Sequence, residues 1–269
     1  MAITLTFPDG GALVTGGTGR VGEGIVRQLA TADVPLVFTY RGNAARAGEL
    51  ESELRTAGHS VWAQPMDMED SASIQAALDR VAAECGRLST VACGAGVIVG
   101  FNKLADFAVA DVERFVNGDA LGYYRIFHAA IPMLRANGGG SITTCTTIAT
   151  RRVIAYDGIS PFSKGSVDAL VRQIAAEEAE HGIRCNSVAI GWVESRTIAE
   201  VRGQTPPAPA EPRTEIDRMI VLMNQMLHIV RLGRPCTPEE AGNVYAFLAS
   251  NQASYVTGQS IALDGGALL

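Results

Sequence analysis

Short apolar runs alternate with stretches of helix-spaced apolar residues along almost the whole chain, and that alternation leaves few folds open. Apolar runs at 11–15, 34–40, 60–64, 88–93, 141–145, 183–190 and 259–263 have the length and β-branched content of strands. Between them lie helical patterns at about 21–32, 44–57, 74–85, 109–136, 167–175 and 238–249, where apolar residues such as Ile74, Leu78 and Val81 recur on one face. Pro35 is tolerable only at the start of its strand, because it cannot donate to a ladder. Strand–helix alternation of this length builds βαβ units, and unbroken apolar strands require a sheet covered on both faces. The expectation is an α/β domain with a doubly wound parallel sheet, formed as a single unit over 1–269.

The 269 residues are 47% apolar and 19% charged, enough for a large core and too apolar for a disordered chain. A net charge of −6 argues against nucleic acid or an anionic membrane as the main partner, and a small-molecule substrate is expected of an enzyme-sized domain. The opening MAITLTFPDGG has neither the basic nor the apolar region of a secretory signal, and no run of apolar residues is long enough to span a bilayer, so a cytoplasmic location is expected. The five cysteines form no CxxC pair and the four histidines no ligand spacing, so no metal is expected. One segment breaks the rhythm. Residues 195–232 carry Pro206, Pro207, Pro209 and Pro212 and then a methionine-rich helix (Ile216, Met219, Ile220, Met223, Met226, Leu227, Val230), which suits a lid over an apolar substrate.

The first strand runs into Thr15-Gly16-Gly17-Thr18-Gly19-Arg20-Val21-Gly22. A glycine-rich turn that opens a helix lets backbone N–H groups approach a pyrophosphate, whose charge the helix N-terminus favours. In this strand–turn–helix context the pattern points to a Rossmann-type dinucleotide fold. The second strand ends Tyr40-Arg41-Gly42-Asn43, without the carboxylate that would bind the ribose 2′-hydroxyl of NAD. Arg41, with Arg20 expected nearby, suits the 2′-phosphate of NADP(H).

From Gly11 to Asp264-Gly265-Gly266 the chain resembles the short-chain dehydrogenase/reductases. The family's TGxxxGxG turn reads TGGTGRVG here, with Arg20 in place of the middle glycine. The resemblance implies that Asp67 and Met68 lie against adenine. It also implies that Cys93-Gly94-Ala95-Gly96 replaces the family's NNAG segment, with its asparagines lost. Ile190-Gly191-Trp192-Val193-Glu194-Ser195 matches the segment that flanks the nicotinamide and pyrophosphate, which brings Gly191, Val193 and Ser195 into the cofactor site. Family members form homodimers or homotetramers on the helix after the catalytic lysine, which here presents Val167, Leu170, Val171 and Ile174.

The family's Asn–Ser–Tyr–Lys set falls on Asp119, Thr147, Ser160 and Lys164, so the tyrosine that moves the substrate proton is missing. A serine hydroxyl is a far weaker acid than a phenol and cannot simply inherit that role. Lys164 retains the charge and donors that hold the cofactor ribose and nicotinamide, and Thr147 retains a hydroxyl for a carbonyl oxygen. Ser160-Pro161 also has the character of a helix start, with Ser160 at the N-cap. Tyr156 is the nearest phenol, and Gly158 argues against helix between it and Lys164. Asp119 is either a proton relay, a repulsive carboxylate or a residue hydrogen-bonded to backbone; Arg151 and Arg152 either meet an anionic substrate group or face solvent. Three functions follow: an NADP(H)-dependent reductase of a C=O or C=N group on a bulky apolar molecule, a non-redox NADP(H)-binding sensor or scaffold, or a lyase, isomerase or dehalogenase on the same fold.

Overall fold

The computed structural model describes residues 4–97 and 100–269. Seven parallel strands run through its centre: β1 (Gly11–Thr15), β2 (Leu36–Tyr40), β3 (Val61–Pro65), β4 (Leu88–Cys93), β5 (Gly140–Thr147), β6 (Ile183–Ile190) and β7 (Ser260–Leu263). Their order in the sheet is β3-β2-β1-β4-β5-β6-β7. The order reverses between β1 and β4, and that reversal opens a crevice above the carboxyl ends of these strands. Leu13, Val14, Val37 and Val91 are fully buried, as expected of strands covered on both faces. Pro35 precedes β2, and its carbonyl accepts from Ala12 N–H.

Helices α1 (Arg20–Thr31), α2 (Ala44–Thr56) and α3 (Ser71–Cys85) follow the first three strands. The expected long helix at 109–136 is interrupted. α4 (Val109–Val116) and α5 (Gly122–Ala136) are joined by a π-helical stretch, Asn117–Leu121. A π-bulge widens one turn and rotates the residues it carries relative to the helix on either side. α6 (Ser160–Glu177) follows β5, and α7 (Ile198–Gln204) and α8 (Glu215–Ile229) form the segment between β6 and α9 (Pro238–Ala249). Among the described residues no helix is long and apolar enough to cross a membrane.

Two apolar layers cover the sheet. One packs α3, α5 and α6 on it through Ile74, Leu78, Tyr123, Ile126, Val167 and Val171. Val167, Val171 and Ile174 belong to that core rather than to an exposed interface. The other packs α1, α2 and α9 on the opposite face. α1 and α9 approach so closely that a methyl group on Gly24 would land on the Pro238 carbonyl, and one on Gly242 would land on the Gly24 carbonyl. Backbone atoms cannot yield as a side-chain tip does, so Gly24→Val should force the two helices apart. The expected loss is about 3 kcal/mol of stability, read as a lower urea midpoint at unchanged slope; a wild-type midpoint would mean that the seam is looser than described.

Candidate active site

The crevice at the β1–β4 reversal is built by short backbone bonds. Gly16 has φ +69°, and a Cβ there would sit 2.7 Å from Ala95 Cα, so the turn needs glycine both for its conformation and for its closeness to the β4 loop. Thr39 accepts from Gly16 N–H through Oγ1 at 3.3 Å and from Gly17 N–H through its carbonyl at 2.8 Å. Thr15 accepts from Gly94 N–H at 3.0 Å and, through Oγ1, from Ala95 N–H at 3.2 Å. Gly19 occupies the N-cap of α1, and no side chain caps that helix. The N–H groups of its first turn, at Arg20 and Val21, therefore remain to receive an anion.

A cavity of about 390 Å³ extends from this turn, lined by Gly16, Thr18, Gly19, Arg41, Asp67 and Met68, with Gly94, Ala95 and Gly96 along its other wall. It has the place and lining for the adenosine half of a dinucleotide. Arg41 is exposed at its rim, and Arg114 of α4 also borders it. Arg20 does not. Its guanidinium lies 3.7 Å from Glu194 and lines the adjoining cleft with Thr18 and Ser195. The expected second cation beside the 2′-phosphate is thus turned toward the β6 loop instead. Glu194 is buried, and hydrogen bonds from Arg196 hold its carboxyl below the usual range against the effect of burial. That loop is fixed by Gly191 N–H donating to Leu263 O and by a short parallel bridge between Val193 and Cys236.

Lys164 and Asp119 meet at the base of the crevice. Lys164 Nζ lies 2.8 Å from Asp119 Oδ1, and Ser163 donates to Oδ2 at 3.1 Å. Asp119 is fully buried and Lys164 nearly so. Asp119 sits in the π-helical stretch, where the widened turn carries its carboxylate toward α6. It pairs with a side-chain ammonium and a hydroxyl rather than with backbone. Beneath the pair, Lys164 Nζ is 3.5 Å from Tyr123 Oη and 4.6 Å from the ring centroid, an arrangement that also favours the cation. Tyr123 Oη donates to Ala95 O at 2.7 Å, and burial raises its pKa well above that of a free phenol. It is the phenol nearest the lysine in space, yet its proton is committed to backbone. Tyr245 Oη likewise donates to Cys93 O at 3.1 Å. These two phenols bond the main chain of the segment Cys93-Gly94-Ala95.

Thr147 ends β5, half-buried, and its Oγ1 accepts from Ala149 N–H at 3.1 Å. A hydroxyl that accepts in this way keeps its own O–H for another oxygen. Ser160 is the first residue of α6, not its cap; Ile159 holds the N-cap position and its side chain makes no cap hydrogen bond, while the Asp157 carboxyl accepts from Ser160 N–H. Ser160 Oγ instead donates to Asp157 Oδ2 at 2.6 Å. Burial raises the Asp157 carboxyl above the usual aspartate value, and the hydrogen bonds from Ser160 limit the rise. Tyr156 lies in the loop before α6, half-buried, at φ +61°. Arg151 donates to Ser260 O at 2.7 Å and Arg152 donates to Ala267 O, so both arginines tie backbone carbonyls rather than face an anionic substrate.

Helix α8, expected as part of a lid, divides along its length. Met226, Ile229 and Val230 pack with Ile148, Ala149 and Ile154 beside Thr147, whereas Ile216 and Met219 are exposed. Gln225 accepts from Ala155 N–H at 2.7 Å and donates to Val153 O at 3.2 Å, fastening α8 to the loop that precedes α6. Among the described residues no group of His, Cys, Asp and Glu side chains is placed to hold a metal ion.

Asp157 and Tyr123 were not legible as site residues. The only sequence signals were Asp157 three positions before Ser160 and Tyr123 four after Asp119 on what reads as one helix face.

The Lys164–Asp119 pair should behave as one buried unit. Asp119→Leu would leave an ammonium uncompensated and cost about 3–5 kcal/mol in urea unfolding. Adding Lys164→Met should restore most of that loss. Additive losses in the double variant would contradict the pairing.

Comparison with known proteins gives a consistent picture. The family described as enoyl-(acyl carrier protein) reductase matches residues 18–267. A cis-4-hydroxycyclohexanecarboxylate dehydrogenase from Sinomonas cyclohexanicum is 31% identical over 262 residues, covering 97% of this chain and 97% of that protein. A short-chain type dehydrogenase/reductase from Mycobacterium ulcerans superposes with a TM-score of 0.85 at 26% identity, covering 98% of this chain and 91% of that one. A 7α-hydroxysteroid dehydrogenase in complex with NADH and 7-oxo glycochenodeoxycholic acid superposes with a TM-score of 0.83 at 25% identity, covering 98% and 96%.

Proposed function

We propose, from the premise that this chain belongs to the short-chain dehydrogenase/reductase family, that it is an NADP(H)-dependent oxidoreductase acting on the C=O or C=N group of a bulky, largely apolar small molecule. The observation that carries the cofactor choice is the end of β2. Arg41 borders the adenosine-end cavity, and Tyr40-Arg41-Gly42 offers no carboxylate to a ribose 2′-hydroxyl. The N–H groups of the first turn of α1 would hold the pyrophosphate, Asp67 and Met68 the adenine, and Lys164 the ribose beside the nicotinamide. Gly191, Val193 and Ser195 would close the site on its other side.

When bound, the nicotinamide supplies or takes up hydride at its C4. Thr147 would donate its O–H to the substrate oxygen or nitrogen and hold the reacting carbon in place. The apolar half of α8 and Trp192 would cover the substrate. The similarity to dehydrogenases of cyclohexane carboxylates and steroids supports a ring-bearing substrate. A protonated imine demands less of an acid than a ketone does, which suits a site without the family's tyrosine.

A second reading is a non-redox NADP(H)-binding descendant. One observation favours it: Asp119 already occupies the ammonium of Lys164. A homodimer or homotetramer would draw on exposed apolar side chains of α4 to α6, such as Val109, Tyr124 and Phe162. No site for nucleic acid or membrane enters the proposal.

Titration of the protein with NADPH and with NADH, followed by nicotinamide fluorescence, tests the cofactor half. NADPH should bind more tightly, and Arg41→Ala should weaken NADPH by about tenfold or more while leaving NADH unchanged, since a charge-assisted contact of this kind contributes about 1.5–3 kcal/mol. Equal affinities that Arg41→Ala does not alter would remove the preference for NADP(H). Loss of NADPH absorbance with cyclic ketones, enones and imines tests the reaction.

A further inference from the structure

The loop before α6 places a carboxyl group against the hydroxyl that stands where the family has its phenol. Ser160 Oγ to Asp157 Oδ2 is 2.6 Å, the short distance of a hydrogen bond with a carboxyl partner. Ser160 lies one helical turn before Lys164, so the two side chains project from the same side of α6.

Asp157 is held in place from three directions. Asn102 N–H donates to Tyr156 O at 2.9 Å, and Asn102 and Asp157 form a parallel bridge. Asp157 N–H donates to Ile154 O at 3.2 Å. Gln225 of α8 fixes Ala155 two residues earlier. A Cβ on Gly158 would lie 3.0 Å from Leu104 N, so this loop also packs closely on the segment after β4. These contacts fix the backbone of the loop, and the Ser160 hydroxyl engages the carboxyl that the loop carries.

We propose that Asp157 and Ser160 together replace the missing tyrosine, with Ser160 exchanging a proton with the substrate and Asp157 acting behind it as proton reservoir. The inference rests on the reductase reading above. In the reducing direction the substrate carbon gains hydride from the reduced nicotinamide, and the C=O π pair moves onto oxygen. That oxygen takes the proton of Ser160 Oγ–H as Ser160 Oγ takes the proton of the Asp157 carboxyl. Products are an alcohol, oxidised cofactor and the Asp157 carboxylate, which solvent reprotonates. In the oxidising direction the Asp157 carboxylate receives the proton that Ser160 passes on from the alcohol. Ser160 is the catalytic residue and Asp157 a positioning and relay residue, since it acts through Ser160.

The groups around Asp157 leave this role to it. The loop packed against it carries Lys103 and Asp106, both exposed. Its own segment carries Tyr156 and the two arginines Arg151 and Arg152, which donate to backbone carbonyls; α8, fastened to the loop by Gln225, carries Arg218 and His228; and α6 carries Lys164, whose ammonium Asp119 engages. Burial lifts the Asp157 carboxyl, which favours its protonated form. Reduction therefore speeds up as pH falls toward the Asp157 pKa, and oxidation speeds up as pH rises through it.

Asp157→Asn, Ser160→Ala, the double variant and Ser160→Thr test the relay, with NADPH affinity as the check on folding. The expected result is a loss of kcat of about 100-fold in either single variant, no further loss in the double, unchanged NADPH affinity, and recovery in Ser160→Thr. Asp157→Asn should also erase the decline of kcat for reduction as pH rises through the Asp157 pKa, which a merely structural aspartate would leave in place. Wild-type kcat and pH profile in Asp157→Asn, or losses that multiply in the double, would overturn the relay alone. NADPH binding without hydride transfer by the wild-type protein would overturn it together with the reductase reading, and absence of NADPH binding would overturn the cofactor assignment beneath both.

Discussion

A buried ammonium needs a buried anion, and in this protein the demand is met between Lys164 of α6 and Asp119 of the π-helical stretch. Desolvating either charge alone costs several kcal/mol, so the two elements are bound to one another as long as the fold persists. The pair lies just beneath Gly96, where an added Cβ would sit 3.4 Å from Lys164 Nζ and 3.5 Å from Asp119 Oδ1. The floor of the crevice is therefore an ion pair.

The same pair bears on the expectation of a serine where the family has a phenol. A lysine lowers the pKa of a neighbouring phenol through its positive charge. Once Asp119 stands 2.8 Å from Nζ, the two charges present themselves as a dipole whose field falls off faster than that of a lone cation. A tyrosine at position 160 would gain less from Lys164, and Ser160 stands there with its own carboxyl partner, Asp157. Two aspartates, Asp119 and Asp157, are thus the side-chain partners of Lys164 and Ser160.

The sheet was readable from residue order, because period and run length report burial directly: all seven strands appear within a few residues of their expected places. The glycine turn at 15–22 was readable for the same local reason. Other features depend on contacts between segments far apart in the chain. The π-helical stretch at Asn117–Leu121 reads as ordinary helix, and only the reach of Asp119 to Lys164 gives it a purpose. Arg20 sits beside the phosphate turn in sequence, but the buried carboxylate of Glu194, distant in the chain, captures it. Arg151 and Arg152 read as solvent or substrate contacts until the carbonyls of β7 and of Ala267 come beside them. Val167, Val171 and Ile174 read equally well as interface or core, since an apolar stripe does not say what covers it; here the sheet does. Ser160 carried the signature of a cap, but its hydroxyl went to Asp157 because helix α6 begins one residue earlier than the serine–proline pair implies.

The reductase reading requires this site to move hydride with a serine, not a phenol, at position 160. Single-turnover reduction of a cyclic ketone or imine by NADPH bound to the protein, compared with NADPH carrying deuterium at C4, tests it most directly. The account predicts decay of the reduced-nicotinamide absorbance with a primary deuterium isotope effect. Tight NADPH binding with no decay for any ketone, enone or imine offered would contradict it and leave a cofactor-binding protein without redox chemistry.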